Sequence, residues 1–340
     1  MRPVELPRDE RAHLWPFEWW YFVGHLETVD SGPARELAFE TTVVRAGTGY
    51  VAVFALIDVL AKSYRTWDRV TPWPLVYRDD GDGFQFVFRP STSGTFDVRE
   101  SIRAWLAGET WRIAREATGR YRIVLAQERE GLDLALLPTK PAALLGDRGV
   151  VRYGTKETLA YYVRSRLDAQ GTATLDGVRR AVRGRAWMDR QWGAARVWRY
   201  RWKFLAVQLD DGTDVVAFRV HDARDGSLVH VYGAIVDAAG TMRALDATEV
   251  TIADRTPTFR HGTIEYPTRT RLEVASAGLA IDVEPYVEDQ RRRTRNVWQP
   301  LPVWWEGACS VSGTFGGAPV TGKAFTELAG YEPFVALPGR

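Results

Sequence analysis

The sequence predicts a mostly β protein of antiparallel strands, folded as barrels or sandwiches and divided between two domains. Three observations predict it. Apolar residues recur with a period of two along most of the chain, Asp-Gly turns part them at hairpin spacing, and 340 residues is long for a single closed sheet.

In chain order, Glu18-Trp19-Trp20-Tyr21-Phe22-Val23-Gly24-His25-Leu26 reads as a strand with Glu18, Trp20 and Phe22 on one face and Trp19, Tyr21 and Val23 on the other. Large aromatics on both faces mean that both are covered, or that one lines a cavity. Asp79-Asp80-Gly81-Asp82-Gly83 leads into the strand Phe84–Phe88. Helix candidates are few: Arg99–Leu106, and Arg120–Glu130, which reads equally well as a strand. Gly184–Arg199, dense in tryptophan and arginine, is the expected junction, giving domains 1–193 and 194–340. Beyond it Phe204–Leu209, Val215–Val220 and Leu228–Val236 form a meander, with turns at Asp210-Asp211-Gly212, Arg224-Asp225-Gly226 and Ala239-Gly240. Arg271–Val274 and Ala280–Glu284 alternate strictly, and Arg291-Arg292-Arg293-Thr294-Arg295 reads as a solvated loop. Trp202-Lys203-Phe204 echoes Glu18-Trp19-Trp20-Tyr21 weakly, as two similar barrels would.

Composition narrows the function. The net charge is +2, only five of the 45 basic residues are lysines, and acids interleave with the arginines, so no basic face for nucleic acid emerges. A single cysteine, Cys309, excludes a disulfide framework, and five scattered histidines make a metal site an unfavoured expectation. The longest uncharged apolar stretch, Ala46 to Ile57, is too short for a transmembrane helix. The N-terminus shows no apolar signal core, so a cytoplasmic location is expected. No oligomeric state follows from the sequence.

Three segments exceed what folding demands, and 14 tryptophans give them their character. The first is Glu18–Leu26. The second is Gly184–Gly193, where Asp189 sits between Trp187, Met188 and Trp192. Dry walls make such an acid hard to ionise, which keeps a proton available at neutral pH for general-acid chemistry. The alternative pairs Asp189 with Arg190 or Arg185 as a structural ion pair. The third is Val303–Gly313 followed by Gly322–Tyr331, where Glu306 adjoins Trp304 and Trp305; Glu327 and Tyr331 read as barrel closure.

Glu18-Trp19-Trp20-Tyr21 with Gly24, Ala186-Trp187-Met188-Asp189-Arg190-Gln191-Trp192-Gly193, Trp202 with Leu209-Asp210-Asp211-Gly212, and Trp305-Glu306-Gly307 through Gly330-Tyr331 together resemble the lipocalin-like carotenoid 1,2-hydratase (hydroxyneurosporene synthase-like) family. That group also takes in kievitone-hydratase-like proteins and the decalin-forming Diels–Alderases. The resemblance implies two lipocalin-like antiparallel β-barrel domains packed together, an apolar ligand cavity in the first barrel or at the interface, and no metal or organic cofactor. It implies a hydrophobic partner, terpenoid, carotenoid or polyene, and a proton donor at Asp189. The hydratases also use a His-x-Trp pair on the preceding strand, whereas this chain reads Leu159-Ala160-Tyr161-Tyr162-Val163-Arg164. The expected site therefore has Asp189 as acid, with Glu306 and Tyr162 (or Glu18) holding water. Trp19, Trp20, Tyr21, Trp187, Trp192, Trp202 and Trp305 are expected to line the substrate's path. Acid-catalysed hydration of a C=C bond leads; a pericyclase and a non-catalytic lipophile carrier are the alternatives.

Overall fold

A computed structural model describes residues 1–13, 15–46, 49–72, 76–88, 110–153, 157–292 and 303–332. Two large antiparallel sheets make two lipocalin-like barrels packed together. The first sheet runs Ser63–Pro72, Gly49–Asp58, Glu36–Ala46, Phe17–Thr28, Val178–Gly193, Glu157–Leu175, Glu130–Pro138, Tyr121–Gln127, Trp111–Arg115, Phe84–Phe88, Tyr77–Asp79. It curls until its ends meet: the Arg69 guanidinium, on Ser63–Pro72, donates to the Phe88 carbonyl at 3.3 Å and to the Ala126 carbonyl at 3.1 Å. The second sheet runs Met242–Leu245, Leu228–Val236, Asp214–Asp222, Tyr200–Leu209, Ala318–Ala329, Trp304–Phe315, Leu279–Pro285, Arg269–Val274, Val250–Arg255. It folds back on itself where Arg219 donates to the Ile252 carbonyl and, at 2.9 Å, to Asp254.

Turn chemistry and side-chain parity account for much of this. The meander strands form around Gly212 at φ +95° and Gly226 at φ +72°, conformations open chiefly to glycine. On Phe17–Thr28, Trp20, Phe22 and Leu26 enter the first barrel's core while Tyr21 and Val23 enter a different one, at the seam between the barrels. Gly24 is fixed by closeness: a Cβ there would stand 2.5 Å from the Phe39 ring and 2.7 Å from the Arg185 carbonyl oxygen. The second barrel's core gathers Leu205, Val215, Leu272, Ile281, Trp305 and the buried Cys309.

Three readings are resolved here. Arg120–Glu130 is the strand Tyr121–Gln127, since Tyr121, Ile123 and Leu125 are buried on one face. The arginine run is not solvated where it is described: Arg291 and Arg292 are buried and pair with Trp305 and Trp304. Asp289, two residues away, pairs with Arg291, and charge alone did not reveal that Glu40 waits for Arg292 across the fold. Arg99–Leu106 lies outside the described residues. Among the described residues the helices are three short 3-10 turns, and no helix is long and apolar enough to cross a membrane.

A buried polar lock joins the sheets at one edge of the seam. Lys140, just beyond the strand Glu130–Pro138, reaches Asp214 at 2.7 Å, and Arg166 reaches the same carboxylate at 2.6 Å. Asp214 is fully buried. Asp214→Ala therefore leaves two cations without their charge partner and is expected to cost about 3–5 kcal/mol, read as a lower urea midpoint at unchanged m value.

Candidate active site

Asp189 comes from the long strand Val178–Gly193, whose odd-numbered side chains in this stretch face the seam and whose even-numbered ones enter the first barrel. Its register partners are Tyr21 and Val163; Trp19 and Tyr161 flank it diagonally, both opposite Gln191. Trp19 Nε1 donates to Asp189 Oδ1 at 3.1 Å, and the Tyr161 hydroxyl donates to Oδ2 at 3.2 Å. Both donors are neutral. Arg190 points the other way, into the first barrel, where it pairs with Glu18 at 2.9 Å and stacks on Trp20 at 3.6 Å; Arg185 pairs with Asp210. Burial therefore decides the proton affinity of Asp189, and the carboxyl is pushed up to about 7 although the two hydrogen bonds pull it down.

The carboxyl faces a cavity of about 20 Å³, room for one water, lined among others by Trp19, Tyr153, Tyr161, Gln191, Trp202, Phe204, Phe218 and Glu327. Entry of anything larger requires the aromatic lining to move. Glu327 accepts a hydrogen bond from Trp202 Nε1 at 3.0 Å, and burial, then the charge of Asp189, raises it to about 8. Behind it, Glu306 accepts from the Tyr21 hydroxyl at 3.1 Å and is raised well above the carboxylate range by burial, then by Glu327 and Glu40. Glu40 accepts from Arg292 at 2.9 Å. Among the described residues Arg292 is the single cation paired within this group of four acids, and burial favours the protonated form of Asp189, Glu306 and Glu327.

A wider cleft of about 240 Å³ opens at the other end of the seam between His25, Arg185, Gln208 and Lys323. It is the larger space but the poorer match to an apolar ligand, because its lining carries the ion pairs Lys323–Glu36 and Arg185–Asp210.

Residues 1–331 match the model of the AttH-like family. The chain belongs to that family. Among solved structures, this AttH-like protein is similar to one assigned as AttH from Nitrosomonas europaea, at 26% identity and TM-score 0.78, covering 97% of this chain and 98% of that one. It is also similar to kievitone hydratase from Nectria haematococca, at 15% identity and TM-score 0.72 over 98% and 94% of the two chains. CghA with Sch210972 follows at 12% identity and TM-score 0.59 over 92% and 88%. The last two likenesses are of fold. No curated protein matches the sequence.

In this AttH-like chain the expected site residues separate into three places. Asp189, Trp19, Tyr21, Trp187 and Trp202 meet at the seam, with Glu306 hydrogen-bonded to Tyr21. Glu18, Trp20, Tyr162 and Trp192 lie inside the first barrel, where Glu18 serves the Arg190 ion pair and Tyr162 packs edge-on to Trp192 at 6.3 Å. Trp305 fills the second barrel's core and donates to the Glu288 carbonyl at 2.8 Å. One residue of parity puts Tyr161, not Tyr162, beside Asp189. The structure adds Tyr161, Glu327, Glu40 and Arg292. Glu327 carried a signal: a hairpin turning at Gly316-Gly317 sets Glu306 opposite Glu327. Glu40 and Arg292, 252 residues apart, carried none.

Proposed function

We propose that the aromatic cavity at the seam is an active site for an apolar isoprenoid or polyene substrate, acting by cofactor-independent protonation of a C=C bond. The observation that carries this reading is Asp189: buried, held only by neutral donors, raised to about 7, and facing aromatic walls beside a second carboxyl. The Asp189 carboxyl gives its proton to one alkene carbon, and the other becomes a carbocation. Trp19 and Tyr161 already aim hydrogen bonds at the carboxylate left behind, so its charge is stabilised as it forms. The faces of Trp202, Phe204 and Phe218 stabilise the cation. Water then adds to the cation, and the proton it releases returns to the Asp189 carboxylate, which restores the acid. The fold shared with a protein named as a hydratase supports the reading by analogy.

The test is incubation with acyclic isoprenoids and linear polyenes in ¹⁸O-labelled water, followed by mass spectrometry. A substrate gaining one labelled oxygen is the expected result. An isomer without label would replace hydration by a pericyclic cyclisation, for which the cavity supplies shape and a hydrogen-bond donor. Substrate recovered unchanged but co-purifying with the protein would replace both with a carrier.

A further inference from the structure

Arg292 and Trp304 hold hydrogen-bonding capacity that no described residue of the protein uses. The guanidinium is 1% exposed, lies over the Trp304 ring at 3.8 Å, and spends one nitrogen, Nη1, on Glu40. Its Nε and Nη2, Nε1 of Trp304 and Oε2 of Glu40 are buried and without a hydrogen-bond partner among the described residues. Native interiors rarely leave such groups unmatched, because each has given up water in return for nothing. All four belong to one contact group, in which Arg292 pairs with Glu40 and lies over the Trp304 ring. Nε and Nη2 form one edge of the guanidinium fork, the geometry that grips two oxygens or brackets one.

That group adjoins the acid cavity. Trp304 packs in the apolar cluster that also holds Trp19 and Trp202, the donors to Asp189 and Glu327. Both barrels build it: Glu40 comes from the first sheet and Arg292 and Trp304 from the second, so it spans the same seam. We infer that Arg292 and Trp304 form a head-group site for an apolar chain ending in a carboxyl or carbonyl group, which directs the unsaturated part of the chain to the Asp189 cavity. Resting on the reading of that cavity as a substrate site, it narrows the substrate class from apolar isoprenoids and polyenes in general to those with one oxygenated end.

Fluorescence titration with cis-parinaric acid, its methyl ester and the headless hydrocarbon diphenylhexatriene tests it, using the full chain, Arg292→Lys and Trp304→Phe. Lysine keeps a positive charge beside Glu40 but lacks the fork; phenylalanine keeps the ring beneath the guanidinium but lacks the N–H. Binding of the acid is expected to weaken about ten-fold or more in Arg292→Lys and several-fold in Trp304→Phe, with diphenylhexatriene unchanged. If the ester follows the acid, the group recognised is a carbonyl; if only the acid weakens, it is a carboxylate, and either supports the site. Should Arg292→Lys fail to fold, Trp304→Phe decides alone. Variants that bind all three probes as the wild type does overturn the head-group site and leave the cavity reading standing. A wild type that binds none of them removes the cavity reading, and the head-group site with it.

Discussion

Asp189→Asn is expected to lower turnover by roughly 10²–10⁴-fold, the usual contribution of a positioned general acid, while leaving the barrels folded. Asparagine matches aspartate in volume and keeps one of its two oxygens. Trp19 Nε1 still finds an oxygen, and the Tyr161 hydroxyl, which donates to the carboxylate, rotates to accept from the new amide. What the amide lacks is a transferable proton. In the wild type, turnover should hold on the acid side and fall as pH rises through about 7, when the protonated fraction of Asp189 is lost. The residual activity of the variant should be flat over the same range. Label incorporation from ¹⁸O water, followed against pH for both proteins, reads both effects, and undiminished turnover in the variant would remove Asp189 from the acid role.

The buried setting of Asp189 was legible in the sequence because its signal is local: a carboxyl enclosed by Trp187, Met188 and Trp192 within six residues. The strands were legible for the same reason, through period-two burial and Asp-Gly turns. Facing was harder. Both faces of Phe17–Thr28 are buried, so alternation identified a covered strand without saying which face meets the other barrel, and nothing local distinguished Tyr161, which lies beside Asp189, from Tyr162, which enters the first barrel. The buried Glu40–Arg292 pair was beyond reach, since an arginine in a basic run looks the same whether solvent or a carboxylate from another barrel awaits it. Long-range electrostatics at the seam exists only after two sheets close against each other.

The second expected effect is on stability, and its sign opposes the first. Asp189 titrates near 3.8 when unfolded and about 7 when folded. As pH rises from about 4 the unfolded chain releases this proton while the folded protein keeps it, so the folded state binds more protons and loses stability with each further pH unit. The loss runs until about pH 7 and then levels. At about 1.4 kcal/mol per unit, the full difference is on the order of 4 kcal/mol for this group. Glu327 shifts in the same direction, so the pair extends the decline toward pH 8. Asp189→Asn removes the ionisation and with it the charge that helps raise Glu327. The variant should therefore match the wild type at pH 4 and exceed it at pH 8 by up to ~4 kcal/mol, seen as urea midpoints that diverge with pH. A wild type and variant separated by the same amount at every pH would mean that Asp189 ionises freely in the folded protein, and the acid would have no reason to be protonated at its working pH. A variant both more stable in alkali and less active would place the destabilising carboxyl where a catalytic acid belongs: kept for its proton at the expense of the fold.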